Sequence, residues 1–251
     1  MVAAAYDKTL EATTMRFSIS QRLTVPVEGR TETIEATGEG VTTLDGRTMR
    51  LKGNVTQVGD YEGMVLDGIE YIRYADQEKL SLPPGKTWIR FDLSALLGMG
   101  INDFAGPSGS DPRQGLSFLH GVVGEPRVVG EEDIRGVHAT RYTLVVDPEK
   151  AAVERPSAAA KMLSASIATK TFPADVWIDS EGRIIQMAYS ITVKEMTGNV
   201  AGSSITVGNT VGFFDYGVPL GDITPPPADQ VEDLTDKIRN SSRQGGGSAT
   251  G

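Results

Sequence analysis

Hydrophobic and polar positions alternate with a period of two along most of the chain. "MRFSISQRLTV" sets Phe17, Ile19, Gln21, Leu23 and Val25 on one side and polar neighbours on the other. "RTMRLKGNVTQ" does the same with Met49, Leu51, Gly53 and Val55 against Arg50, Lys52, Asn54 and Thr56. In "TWIRFDL", Ile89, Phe91 and Leu93 oppose Trp88, Arg90 and Asp92; in "FPADVWID", Phe172, Val176 and Ile178 oppose Asp175, Trp177 and Asp179. "RIIQMAYSITVKE" aligns Ile185, Met187, Tyr189, Ile191 and Val193, and "SSITVGNTVGFF" aligns Ile205, Val207, Val211 and Phe213. This alternation predicts antiparallel strands with one wet face. Asp45-Gly46, Asp67-Gly68 and "DSEGR", with Gly182 in the left-handed position, predict the hairpin turns between them. Several runs reach ten residues, beyond the usual ~5–6 of a strand. Long twisted strands joined in sequence predict a large sheet that curls.

Three helices interrupt this meander. Val2, Tyr6 and Leu10 recur every four residues at the N-terminus, with Thr13 extending the stripe. "DPRQGLSFLHG" offers Asp111 as N-cap, Pro112 in the first turn and Gly121 as a stop, with Leu116, Leu119 and Val123 as its stripe. "RPSAAAKMLSASI" places Ala159, Met162, Leu163 and Ile167 on one side. Between them, "GMGINDFAGPSGSDP" reads as a glycine-rich loop. No repeat and no internal linker is visible, so one domain is expected over residues 3–236. A Pro-stiffened exit, "GDITPPP", leads to a short acidic helix, and residues 237–251 are expected to be a disordered Gly/Ser-rich tail.

Composition narrows the chemistry. The 251 residues are enough to bury roughly 70–75% of the unfolded surface without covalent staples. The chain has no cysteine, hence no disulfide, thiolate metal site or cysteine nucleophile. A net charge of −9 and the lack of any basic run speak against nucleic acid, as does an aromatic content of 6%. There are two histidines, His120 at the end of the second helix and His138 on a strand. Neither has the company a zinc or copper site needs, so no metal or cofactor is expected. No nucleophile elbow, phosphate-binding loop or dinucleotide fingerprint occurs. Carboxylates from which a glycosidase could draw a pair occur in "GEEDIRG" (130–136) and at Asp175 and Asp179, but Asp179 reads as a turn anchor and Glu131, Glu132 and Asp133 as a solvated loop. The chain is therefore not expected to be an enzyme.

What remains is architecture. The fold class expected is α+β, mainly antiparallel β: a large, curved, open half-barrel sheet with helices covering its concave face. Trp88 and Trp177 would lie on the convex side over long polar stems. The candidate apolar wall comprises Phe17, Ile19, Met49, Leu51, Met64, Ile89, Phe91, Ile185, Met187 and Ile191 on the sheet. Leu116, Leu119 and Met162 face it from the helices. Such a wall is either an ordinary core or the lining of a cleft for an apolar ligand, its methionines suiting an adaptable surface.

The phrases "PGKTWIRFDL", "DPRQGLSFLHG", "VGEEDIRGVHATRYTLVVD", "FPADVWIDSEGRI" and "FFDYGVPLGDITPPP" resemble the LolA/LppX-type cell-envelope lipoproteins, in particular the LppX/LprG-like actinobacterial group. They span the chain from Phe17 to about residue 236 and carry no catalytic motif. The resemblance implies a secreted or lipid-anchored monomer, outside the cytoplasm, that carries a lipid or acylated ligand. It also implies a membrane anchor upstream of this sequence, since members begin with a signal peptide and lipobox cysteine that are not found here. Two other classes stay open: a non-enzymatic envelope sensor or interaction module without bound lipid, and a glycan hydrolase.

Overall fold

The computed structural model describes residues 2–27, 30–56, 58–77, 82–96, 112–154, 164–194 and 204–245. The chain opens with helix α1 (Val2–Leu10) and runs through β1 (Thr14–Val27), β2 (Arg30–Thr43), β3 (Thr48–Val55), β4 (Gly59–Leu66), β5 (Ile69–Tyr74) and β6 (Trp88–Asp92). Next come α2 (Pro112–Ser117), β7 (Val122–Ile134), β8 (Val137–Val146), α3 (Pro148–Glu154), β9 (Phe172–Asp179), β10 (Ile184–Lys194) and β11 (Ser204–Phe214). A three-residue strand, β12 (Val231–Asp233), and helix α4 (Thr235–Gly245) end the described chain.

All twelve strands join one sheet in the order β12-β6-β5-β4-β3-β2-β1-β11-β10-β9-β8-β7. Each pairing is antiparallel except β12 on β6, which is parallel. The sheet is an open, curved half-barrel, as the long alternating runs predict, and α1, α2 and α3 cover part of its concave face. The turns form where the sequence places them: Gly46 has φ 76°, Asp67 and Gly68 have φ 46° and 82°, and Gly182 has φ 80°. A further pair in the left-handed region, Arg135 and Gly136, turns β7 into β8. The run Glu131–Asp133 is therefore the end of a strand and not the solvated loop expected.

Three elements depart from the sequence reading. "DPEKAAV" forms α3, where Asp147 Oδ1 accepts the Glu149 and Lys150 amides at 3.0 and 3.1 Å. That is an Asp N-cap followed by Pro in the first turn, a start signal present in the sequence. Val123, expected on the second helix, belongs to β7. Helix α4 extends to Gly245, so residues 237–245 are helical where a disordered tail was expected. The third helix expected, together with Met162, Ala159 and Leu163, lies mostly outside the described residues, as does Asp111; Ile167 is buried and bridges to Val193.

Candidate ligand-binding site

Direct cross-strand partners share a face, so the register assigns each predicted wall residue. One inner row runs Phe213–Phe17–Gly40–Leu51–Gly63–Ile72–Ile89 across seven strands. A second runs Tyr142–Val176–Met187–Val211–Ile19–Gly38–Gly53–Tyr61. Ile191 pairs through Val207 with Leu23, and Met49 through Val65 and Glu70 with Phe91. Phe17, Ile19, Met49, Leu51, Ile89, Phe91, Met187 and Ile191 thus line one inner face, as expected.

Met64 and Ile185 do not. Met64 pairs with Arg50 and Tyr71, both outward-facing; it sits between Gly63 and Val65, one step out of phase with the wall. Ile185 sits at a bulge in β10, where Ile184 pairs with Ile178 but Gln186 already pairs with Trp177. The extra residue turns Ile185 outward, where it packs with Ala139 and Trp177, and Ile134 and Ala188 join them. Period-two counting has no way to see an inserted residue. The two tryptophans face outward under cations: Arg73 lies over Trp88 and Arg141 over Trp177, each 5.0 Å from the ring centroid. Trp177 also donates to Glu132 Oε2 at 3.1 Å. Arg141 bridges Glu132 and Asp175, and Asp175 further accepts from Thr143. Asp179 anchors its turn, accepting the Glu181 and Arg183 amides. The carboxylates considered for glycoside hydrolysis are therefore held in turn and sheet contacts. His138 stands exposed between Asp133 and Glu131, whose hydrogen bonds hold its pKa above the usual value. His120 packs its ring on the edge of Tyr6. Among the described residues, no group of three or more His, Cys, Asp or Glu is placed to hold a metal.

The inner wall carries two apolar clusters. The larger joins Val2, Ala5 and Tyr6 of α1 with Leu116, Phe118 and Leu119, and with the inner residues of β8 to β11. Leu116 and Leu119 are 1% and 5% exposed, so both are packed helix-to-sheet contacts. Gly115 lets α2 approach closely: a Cβ there would lie 3.3 Å from Tyr189 Cε1. Phe118 meets Phe172 and Tyr189 edge-on at 5.1 and 5.3 Å. The second cluster comprises Phe17, Ala36, Met49, Leu51, Val55, Tyr61 and Val65 on β1 to β4. Among the described residues, no α-helix contributes to it. Its wall is thinned by glycines. The Tyr61 ring lies across Gly53 and Gly38, where added Cβ atoms would fall 2.8 and 3.4 Å from its hydroxyl.

Buried polar residues interrupt the inner face, Gln21 at the position that alternation gives it and Glu70, Asn209 and Thr42 besides. Glu70, between Val65 and Phe91, is fully buried. Gln21 and Asn209 are direct partners, and Gln21 Nε2 donates to Asn209 Oδ1 at 3.1 Å. The signal for them was the alternation itself, which puts a polar residue at an inward position in each strand. A cavity of about 500 Å³ is bordered by the outward residues Ser20, Arg22, Asp175, Ala188, Ser190 and Thr210 and also by Pro173, Ala174, Tyr189, Gly208 and Asn209.

No family model matches the chain. A curated protein of Streptomyces griseus, described as an uncharacterized 31.2 kDa protein in the rplA-rplJ intergenic region, is 27% identical over 179 residues, covering 64% of this chain. The chain spans about half the length of that relative, 52%. Among solved structures, the Mycobacterium tuberculosis lipoprotein LppX is similar at 16% identity and a TM-score of 0.48, over 87% of this chain and 96% of that one. LprF of Mycobacterium bovis is similar at 12% identity and 0.44, over 90% and 94%. A LolA-superfamily protein of Nitrosomonas europaea is similar at 10% and 0.26, over 94% and 96%. The half-barrel itself is read from this chain's own topology and register.

Proposed function

We propose that this chain is a non-enzymatic carrier of the cell envelope, holding a lipid or acylated molecule between its curved sheet and helices. The observation that carries the reading is the inner face. It is mostly apolar from β6 to β8, broken by a few buried polar residues, yet α1 and α2 pack on the β8–β11 half, while the glycine-thinned half has its own cluster. An acyl chain buried against that wall would contribute ~0.8 kcal/mol per methylene, so a chain of ordinary length outweighs the cost of association. The likeness of its phrases to envelope lipoproteins supports a location outside the cytoplasm and an anchor supplied upstream. Among the described residues no helix is long and apolar enough to cross a membrane. The sheet edges fit a monomer. β12 and α4 cover β6, and β7 is broken by two register shifts, a common way to block edge pairing.

Organic extraction of the purified protein followed by mass spectrometry tests the reading. Stoichiometric acyl-containing species, absent from a control protein purified in parallel, are expected. Clean protein that also fails to bind a fluorescent fatty-acyl probe would overturn it and leave the interaction module as the better account.

A further inference from the structure

The row formed by Gln21, Asn209 and Tyr189 crosses the middle of the inner wall on β1, β11 and β10. Its neighbours along the strands are Ile19 and Leu23, Val207 and Val211, Met187 and Ile191, all buried. Gln21 and Asn209 are 5% and 8% exposed. A primary amide has two N–H donors and a carbonyl that accepts. The Gln21–Asn209 bond uses one donor of Gln21 and one acceptor site of Asn209, leaving an N–H and the carbonyl of Gln21 for another group. The flanking positions across the sheet are Ala36 on β2 and Ala174 on β9, so small side chains border the row. No charge stands in it. The buried carboxylate of this face, Glu70, falls in the row of Met15 and Thr42, six positions along β1 from Gln21.

We infer that the Gln21–Asn209–Tyr189 row reads the ligand, hydrogen-bonding a neutral polar group (an ester, amide or hydroxyl) on an otherwise apolar molecule. This rests on the carrier reading above and narrows its ligand class. The wall on either side takes hydrocarbon, while the row offers N–H and C=O groups at one height. Burial pushes the Tyr189 hydroxyl up from its ordinary pKa, against a hydrogen bond from Asn209, so it remains a neutral donor. An ionised head group would enter this row without a counter-charge and is disfavoured.

The test uses the full chain and three pyrene-labelled probes of equal length: a fatty acid methyl ester, the free fatty acid with its carboxyl ionised, and the alkane. The wild type is expected to bind the ester roughly three- to tenfold more tightly than the alkane, the effect of one net hydrogen bond, and the carboxylate most weakly. The double variant Gln21→Leu/Asn209→Leu removes both partners together, so neither amide is orphaned. It should lose the ester preference and keep its alkane affinity. Tyr189→Phe, which keeps the ring against Phe118, should reduce the preference even if the double variant fails to fold. An ester preference unchanged in the variants, with only thermal stability altered, would show that the row merely fixes strand register and would overturn the inference alone. Equal wild-type binding of ester and alkane would do the same. Binding of none of the probes would overturn the carrier reading with it.

Discussion

Thr9 of α1 and Ile184 of β10 are joined by a hydrogen bond across 175 residues: the Ile184 amide donates to Thr9 Oγ1 at 3.0 Å. Thr9 Oγ1 in turn donates to Ala5 O at 2.7 Å. Ile184 stands at the bulge, where the β9–β10 ladder shifts register, and its carbonyl accepts from the Tyr216 hydroxyl. Two side chains from distant parts of the chain thus bond the Ile184 N–H and C=O beside the bulge. Thr9→Val, which keeps shape and removes the hydroxyl, should cost about 1–3 kcal/mol by leaving a buried N–H unmet. Urea unfolding with an unchanged m-value measures this; a loss of a few tenths or less would mean that the bulge finds another partner.

Gly53 is held to glycine by the Thr37 carbonyl and by the Tyr61 ring. A Cβ at Gly53 would come within 2.8 Å of the Tyr61 ring and 2.2 Å of the Thr37 carbonyl oxygen. Gly53→Ala should therefore shift the β2–β3 pairing and cost about 1–3 kcal/mol, as overpacking does. Gly59→Ala tests a different cause: its surroundings are open, but φ is 101°, so any loss there is backbone strain. Combining Gly53→Ala with Tyr61→Ala should recover part of the Gly53→Ala loss; additive losses would leave the Thr37 carbonyl as the sole obstacle.

The strand pattern made most of this sheet legible, because a half-buried antiparallel strand must alternate and a slip of one residue would expose its whole apolar set. Ile89 and Met187, with six strands between them, were placed on one face by alternation alone. What the pattern could not carry are contacts set by the third dimension. The β7–β8 hairpin crosses the outer face, so that Arg135 reaches Glu39 at 2.6 Å and covers Phe214, although four strands separate β8 from β2. Strand β12 depends on the backbone of β6 and has only three residues, too few for a period. Gln21 and Asn209 were legible as inward polar positions, but their partnership needed the register.

Glu62 gives the fold an acid-sensitive contact. Burial raises its pKa, but hydrogen bonds from Arg50 and Arg73, each at 2.7 Å, outweigh this and hold it below the ordinary value. A carboxylate whose pKa falls on folding contributes stability that is present above its unfolded value and lost as pH drops through the folded one. The wild type should therefore lose thermal stability on acidification from neutral pH to below about 4.5. Glu62→Gln should be less stable at neutral pH and lose less over the same range, so the two melting curves converge. Parallel acid profiles would remove Glu62 from the account.

Ala36 offers the sharpest separation between a ligand-lined wall and a filled core. It faces inward on β2, between Gln21 and Val55, within the cluster that among the described residues contains no α-helix. Leu119, by contrast, is already packed between helix and sheet, so Leu119→Trp is expected to unfold the domain whatever the other half holds. In a wall that gives way to an acyl chain, Ala36→Trp occupies ligand volume. It should weaken displacement of a fluorescent fatty-acyl probe at least tenfold while lowering stability by less than about 1 kcal/mol. In a filled core the same change overpacks, and the cost should be about 1–3 kcal/mol or more. Thermal melts and probe displacement on the same samples read both quantities. A variant that melts far below the wild type, beside a wild type that binds no probe, would mean that the concave face is only a core. A stable variant with undiminished probe affinity would place the ligand away from this half of the wall, against the helix-covered cluster.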